Sequence, residues 1–528
     1  MKKTNVSDKI KTQRKERMIT MKKNRLNILT ALFSIMMIAL FSLSANAYIS
    51  LDEDDLTKTV DNVKYHMFES NGEKKAIAYD FVADEELTEL NILSEVDGYK
   101  VTGIEAITSK GEFPNVSEVT IGENVKYIDY RAFYNMDALE KVTLPSTLTH
   151  IEEQAFYSCD NLIQINLDNV KFIGTSAFSR CTNLKEVNFT NNLEIIGTFA
   201  FWGTGLEYVT IPSTATLSCT GDVFVDFEQF SNCENLKEVI FEEGERTRLY
   251  IPQSAFSGCA NLKKIVLPEN ITELILGDYA FANCKSLANF DFSNVVEIDD
   301  SVFLNCSKLT KAEFSDELKA IGCHAFEGTN LKTVTIPSKT VLKCCLDGEY
   351  EHGDDTGAFK DFYAQFKNCK NLKTVIFEDK TTSKFIIPHF TFEGCTALKK
   401  IYLPDDTKMT VGPRAFKNCT SLTKVYGSEN IVEIGTAAFS YCKSLKEITL
   451  GKNLKTVGEK AFLGCKVLAR VNLESTKTAP TFGKKAFSGT ADGIKFVADK
   501  AIAKKVKTNL KNTATKNAKV YSVAYTKV

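Results

Sequence analysis

The stretch Ala255–Leu267, AFSGCANLKKIVL, decides how the chain is read. As a pattern it is A-F-x-x-C-x-x-L-x-x-V/I-x-L/F, and it returns, whole or nearly so, through most of the sequence. Its phenylalanine recurs at Phe133, Phe156, Phe178, Phe201, Phe230, Phe256, Phe281, Phe303, Phe326, Phe366, Phe392, Phe416, Phe439, Phe462 and Phe487. Most of these fifteen positions lie 22 to 26 residues apart. The Leu-x-x-Val-x-Leu part, such as Leu445, Ile448 and Leu450, alternates apolar with polar residues, as a short strand with one buried face does. An Ile-Gly or Val-Gly pair usually precedes the Ala-Phe, as at Ile173–Gly174, Ile321–Gly322 and Val457–Gly458. Glycine there suits a tight corner.

One copy cannot bury its own Phe, Leu and Val. Stacked copies can, because each rung covers the next. A buried Phe or Leu contributes roughly 1.5–3 kcal/mol, so repeated rungs build a continuous core. A period in the low twenties carrying this pattern is that of a leucine-rich solenoid. The expected fold is a single curved, β-rich leucine-rich-repeat solenoid. Short or 3₁₀ turns lie on its outer side, and a non-repeat cap closes each end. At about 4.8 Å per rung the array is roughly 75 Å long.

Phrases such as IGTSAFSRCTNLKEVNF (Ile173–Phe189) and VGEKAFLGCKVLARVNL (Val457–Leu473) resemble the BspA-like leucine-rich-repeat surface proteins. The resemblance runs from about Val101 to Phe487 and includes the Leu-Pro endings at Leu144–Pro145, Leu267–Pro268 and Leu403–Pro404. It implies a secreted or surface-attached binding protein, often an adhesin. Fold resemblance says less about function than about architecture.

Charge and cysteine set further bounds. The formal net charge of -2 hides an asymmetry. Residues 1–47 hold ten Lys or Arg and two acids, which leaves the remainder at -10. That disfavours nucleic acid and anionic membrane as partners. Eleven of the 15 cysteines occupy the repeat position: Cys159, Cys181, Cys233, Cys259, Cys284, Cys306, Cys369, Cys395, Cys419, Cys442 and Cys465. They read as one row of buried free thiols, since disulfides or metal need facing groups. Cys219, Cys323, Cys344 and Cys345 lie off register, and without geometry a bridge among the last three is disfavoured.

In chain order, residues 1–47 read as a basic leader and secretory signal. The second methionine, Met21, opens the better signal, with basic residues, the apolar run Ile28–Leu43 and the small-x-small site Ala45–Ala47. Cleavage is expected before Tyr48. The run is short for a membrane span, so no stable membrane insertion is expected after cleavage. Residues 48–103 read as an N-terminal cap, with strands at Val63–Phe68 and Ala76–Val82 around the hairpin signal Asn71–Gly72. The solenoid is assigned to residues 104–490 and a C-terminal cap to 491–528. In the latter, Ile502, Val506 and Leu510 have helical spacing and Lys519–Val528 alternates as a strand.

A larger repetition overlies the small one. Phe178–Cys284 resembles Phe303–Cys419 phrase by phrase. AFWGTGLEYVTIP (Ala200–Pro212) matches AFEGTNLKTVTIP (Ala325–Pro337), and QFSNCENLKEVIFEEG (Gln229–Gly244) matches QFKNCKNLKTVIFEDK (Gln365–Lys380). A block of about five rungs was therefore duplicated. Each block places a long excursion after its Ile-Pro, near 213–226 and 338–362. Such insertions emerge from one face of a solenoid and often serve binding. The second contains DGEYEHGDDTG (Asp347–Gly357), read as a solvated acidic loop because it lacks the spacing of a calcium loop.

No catalytic, metal or cofactor site is readable. The sequence has no phosphate loop, no G-x-S-x-G and no H-E-x-x-H, and its five histidines are scattered. A binding surface is readable instead. In each front strand the residues before and after the central Val point outward. The position after it is mostly small or polar, but two clusters break that rule: Ile240 with Val266, and Ile376 with Tyr402 and Tyr426. Lys264, Lys400 and Lys424 occupy the preceding outward positions. An exposed apolar and aromatic row edged by lysines suits a protein or glycan contact. The expected function is a secreted or cell-surface, adhesin-like protein that contacts host matrix protein, another cell or a glycan. The alternatives are a structural spacer or surface-layer component without a ligand and, more remotely, a glycan-active enzyme.

Overall fold

A computed structural model describes residues 56–82, 84–105, 115–218, 227–343, 364–380, 384–405, 407–473, 478–513, 515 and 517–523. Contacts divide the chain into Met1–Leu56 and Thr57–Val528, and all that follows concerns the second unit. The leader and signal segment, and the acidic loop, lie outside the described residues. So do Cys219, Cys344 and Cys345.

The second unit is a β-solenoid of about 17 turns with almost no helix. Each turn passes three sides. The front side is the Val-x-Leu strand, and successive front strands pair in parallel and in register: Ile165 stands beside Val142 and Val187, and Ile448 beside Val471. Its alternation of exposed and buried residues follows from the two-residue period of a strand. The front strands fall into four sheets along the array.

The second side was read from sequence as a tight corner and is a strand ladder of its own. Ile151, Ile173 and Ile196 pair in parallel from rung to rung, as do Ile434 and Val457. The glycine that follows owes its place to rung spacing. A Cβ on Gly174 would lie 2.7 Å from the backbone of Glu152 and Glu153 in the rung before.

The third side carries the Ala-Phe pair. It holds short turns, as expected; in nearly every rung the turn is flanked by two left-handed residues, such as Arg131 (φ 56°) and Asn135 (φ 60°), then Gln154 (φ 57°) and Ser158 (φ 54°). This conformation turns amides toward the next rung: the Phe133 N–H donates to Ala155 O, and the Asn135 N–H to Tyr157 O, at 2.8 and 2.9 Å. A left-handed conformation costs a non-glycine residue roughly 1–2 kcal/mol, and the rung-to-rung bonds offset it. The outer position tolerates it best where Asn or Gly stands, as at Asn283, Asn368, Gly258 and Gly394.

Inside, all fifteen marker phenylalanines form one unbroken stack. Neighbouring ring centroids lie 5.1 to 5.7 Å apart with interplanar angles of 18° or less. The stack holds its spacing across both excursions: Phe201–Phe230 is 5.4 Å and Phe326–Phe366 is 5.3 Å. The core is thus continuous across both insertions. The eleven repeat cysteines are free and buried, as read. Each thiol donates to the carbonyl of the marker Phe one rung earlier, for example Cys259 Sγ to Phe230 O at 3.0 Å and Cys395 Sγ to Phe366 O at 3.1 Å. Burial pushes most of these thiols well above their ordinary pKa, Cys442 among them. In two of the rungs that lack the cysteine, Thr204 and Thr329 take its place, and each hydroxyl contacts the next thiol at 3.2 Å.

Some boundaries differ from those read in the sequence. The front ladder begins at Glu89–Ile92 and the side ladder at Tyr99–Ile104, both ahead of residue 104. The front ladder also continues past 490 through Lys495–Asp499 and Lys519–Val523. Lys495–Asp499 is the front strand of the rung that Phe487 marks, and Lys519–Val523, read as a strand of the C-terminal cap, pairs beside it. The Asn71–Gly72 hairpin joins strands Val63–Ser70 and Glu73–Phe81, and the latter pairs with the first side strand. A helix spans Ala503–Asn509. Cys323 is disulfide-bonded, contrary to the expectation from sequence; its neighbours in the fold could not be read from linear spacing.

Candidate functional site

The duplicated blocks give two front sheets that can be compared residue by residue. In the second, strands Thr333–Ile336, Thr374–Phe377, Lys400–Tyr402 and Lys424–Tyr426 pair in parallel. Their register sets Thr335, Ile376, Tyr402 and Tyr426 in one outward column. The two tyrosines stack with centroids 4.6 Å apart and rings 5° from parallel. Tyr426 is 39% exposed, while Tyr402 and Ile376 are half-buried by their neighbours in the column. Lys400 and Lys424 stand side by side in the column two residues away, both exposed. The Lys424 ammonium lies 5.9 Å from the Tyr426 ring and 3.4 Å from Glu447 on the next rung. The structure therefore brings together Ile376, Tyr402, Tyr426, Lys400 and Lys424.

A further column lies just before these strands and was missed in the sequence reading. Lys332, Lys373 and Lys399 follow one another rung by rung: the Lys373 N–H donates to Lys332 O and the Lys399 N–H to Lys373 O, both at 2.8 Å. All three side chains are exposed. The signal that could have found them is the repeated Leu-Lys of each rung, at Leu331–Lys332, Leu372–Lys373 and Leu398–Lys399.

In the first block, strands Tyr208–Ile211, Glu238–Phe241 and Lys264–Val266 form the equivalent sheet. Thr210, Ile240 and Val266 share its outward column, so these two apolar residues are adjacent as well. They sit in a sheet separate from the second block's, and no contact joins the two clusters. Two lysines here are paired, and Lys263 is left without a carboxylate among the described residues. Lys237 pairs with Glu207, and Lys264 pairs with Glu238 at 2.6 Å. Glu207 and Lys237 answer to each other: the lysine lowers the carboxyl pKa and the carboxylate raises that of the ammonium.

The bases of the excursions are built alike in both blocks. Buried Gln229 and Gln365 replace the Ala of the Ala-Phe pair, and each amide donates to the last described residue before the loop, Ser218 O at 3.3 Å and Lys343 O at 2.6 Å. A cation then clamps the entering turn. Arg246 donates to Ala215 O at 2.9 Å, and Lys380 to Pro337 O at 2.7 Å and Thr340 O at 3.4 Å. Burial lowers the pKa of Lys380 to about 8. Thr216–Leu217 and Val341–Leu342 are regular side strands, so the excursions begin later than 213 and 338. Lys343 is further held by Glu297 and by Asp299 at 2.7 Å.

Among the described residues, no three His, Cys, Asp or Glu side chains gather as a metal site, and no helix is long and apolar enough to cross a membrane.

The model of the BspA type leucine rich repeat region matches residues 110–221, 223–345 and 363–492. The chain belongs to that family. Among solved structures, this BspA-type chain is similar to a leucine-rich repeat protein from Bacteroides ovatus, at 22% identity and a TM-score of 0.54, covering 88% of this chain and 99% of that one. It is also similar to a leucine rich cell surface protein from Faecalibacterium prausnitzii, at 19% identity and a TM-score of 0.34, over 66% and 94% of the two chains. The pneumococcal vaccine antigen PcpA matches at 16% identity and a TM-score of 0.32, over 89% and 99%. The Bacteroides ovatus likeness is one of fold alone. No curated protein matches the chain.

Proposed function

We propose that the protein is an exported, adhesin-like binding protein that contacts host matrix protein, a neighbouring cell or a glycan through the front sheet of its second block. The signal-like residues 21–47 support export, and membership of the BspA-type family supports a repeat surface used for interaction. The observation that carries the reading is the Ile376–Tyr402–Tyr426 column. Core packing does not require two stacked tyrosines on an outward face, since the same position holds Thr449 and Asn472 on later rungs. Amphipathic tyrosines beside charged groups are the usual anchors of a contact surface.

The test is binding of the purified protein to an array of matrix proteins and glycans, beside a Tyr402→Ala/Tyr426→Ala variant. A saturable hit weakened at least tenfold in the variant, with unchanged melting temperature, is the expected result. A hit kept at full affinity removes this face from the reading. The absence of any hit favours the spacer.

A further inference from the structure

The two blocks differ most in charge on the face that they otherwise share. The first places Glu207, Lys237, Glu238, Lys263 and Lys264 at five equivalent positions. The second places Lys332, Lys373, Thr374, Lys399 and Lys400 there. Each glutamate that neutralises a lysine in the first copy is lost in the second. Glu207, the partner of Lys237, corresponds to Lys332, and Glu238, the partner of Lys264, corresponds to Thr374. Among the described residues no carboxylate forms an ion pair with Lys332, Lys373, Lys399 or Lys400. The acids beyond the tyrosine column face the turns: Glu378 accepts from the Ser338 N–H at 3.1 Å and Asp379 from the Asp405 N–H at 2.9 Å. Glu447, paired with Lys424, marks the end of the row.

Like charges on adjacent rungs repel one another. An uncompensated lysine column in a chain that is acidic beyond its leader therefore calls for an anionic partner. Resting on the reading that this face binds a ligand, we propose that the front sheet of the second block takes an acidic polysaccharide laid along the rungs. Its carboxylate or sulfate groups meet Lys332, Lys373, Lys399 and Lys400. Its ring hydroxyls and apolar faces meet Tyr402, Tyr426 and Ile376. Nucleic acid fits less well. The cations are ammonium groups, point charges without the fork of a guanidinium that grips a phosphate.

The experiment measures binding of the purified protein to heparin (sulfated), polygalacturonate (carboxylated), neutral dextran and a single-stranded DNA oligonucleotide. Binding of either acidic polysaccharide, weakened by salt and without binding of dextran, is the expected result; the preference between the two tells sulfate from carboxylate. Lys373→Gln/Lys400→Gln should weaken it at least tenfold. Lys452→Gln/Lys455→Gln, an equal charge change at exposed lysines outside the sheet, should change it less than twofold. Restoring the acids of the first block with Lys332→Glu/Thr374→Glu should abolish binding. Equal losses in both glutamine variants, DNA bound as tightly as polysaccharide, or no binding of either acidic probe each overturn the proposal. If the array yields a neutral glycan or protein that depends on the tyrosines while heparin and polygalacturonate fail, the polysaccharide proposal falls and the binding face stands. If nothing depends on the tyrosines, the face itself falls.

Discussion

The blocks Phe178–Cys284 and Phe303–Cys419 share a core and differ in what they present. Their phenylalanines stack at the same spacing, their cysteines donate to the same carbonyls, and a buried glutamine closes the base of each excursion. Outside, the first block pairs two of its three lysines at these positions with glutamates. The second leaves a lysine column unpaired and adds two stacked tyrosines. The lesson is one of constraint. An inward residue touches the rungs on both sides, so a change there disturbs several contacts at once. An outward residue touches little, so a duplicated face is free to diverge while the scaffold stays fixed.

The largest effect should test whether the two cores are equivalent. Phe230→Ala and Phe366→Ala each remove a fully buried ring flanked by two others. Each should cost about 3–5 kcal/mol in denaturant unfolding. A difference above about 1.5 kcal/mol between them would break the equivalence. Next, the two glutamines should part. Gln365 donates to Lys343 O and accepts from the Thr391 hydroxyl at 3.2 Å, whereas Gln229 Oε1 is buried with no partner among the described residues. Gln365→Ala should cost about 2 kcal/mol and Gln229→Ala about half that, with thermal unfolding as the measure.

The clamps should part in their pH response. Lys380 has a pKa of about 8 in the folded chain, below its ordinary value of 10.5, because burial penalises the charge. The unfolded chain therefore binds more protons between these values, and stability should rise with pH across that window. The gain should be on the order of 1 kcal/mol after solvent screening. Lys380→Arg, which copies the cation type of Arg246, should flatten that rise in chemical denaturation at pH 8 and 10.5. The smallest effect is a gain. Ala255 stands where the second block has Thr391, so Ala255→Thr should supply the hydroxyl that Gln229 lacks. It should raise stability by about 0.5–1 kcal/mol in the same thermal measurement, and a loss would show that the two bases are not interchangeable.

Much of the candidate site was legible. Ile376, Tyr402 and Tyr426 follow from strand alternation, and the register places them in one column as counted. The lysine column was visible only in part. Lys400 and Lys424 lie within the strand pattern, but Lys332, Lys373 and Lys399 precede the strands, where alternation gives no direction. The loss of their partners is written in the alignment of Glu207 with Lys332 and of Glu238 with Thr374. It acquires meaning only once Glu207 and Lys237 are seen to meet across a rung. The buried glutamines gave no signal at all, because a polar residue in an Ala position looks like a lapse of the repeat until its carbonyl partner is known.

By itself the sequence determined the repeat, its inward faces, the row of free thiols and the duplication. Each of these is a periodic property, and periodicity survives being read along a line. The tertiary structure decided the side ladder at the Ile-Gly step, the alternating left-handed turns under the phenylalanines, the reach of the ladders beyond the repeat, the bond made by Cys323 and the charge balance of each face. Those depend on which residues of different rungs come to lie side by side, and the chain fixes that only when it closes its turns.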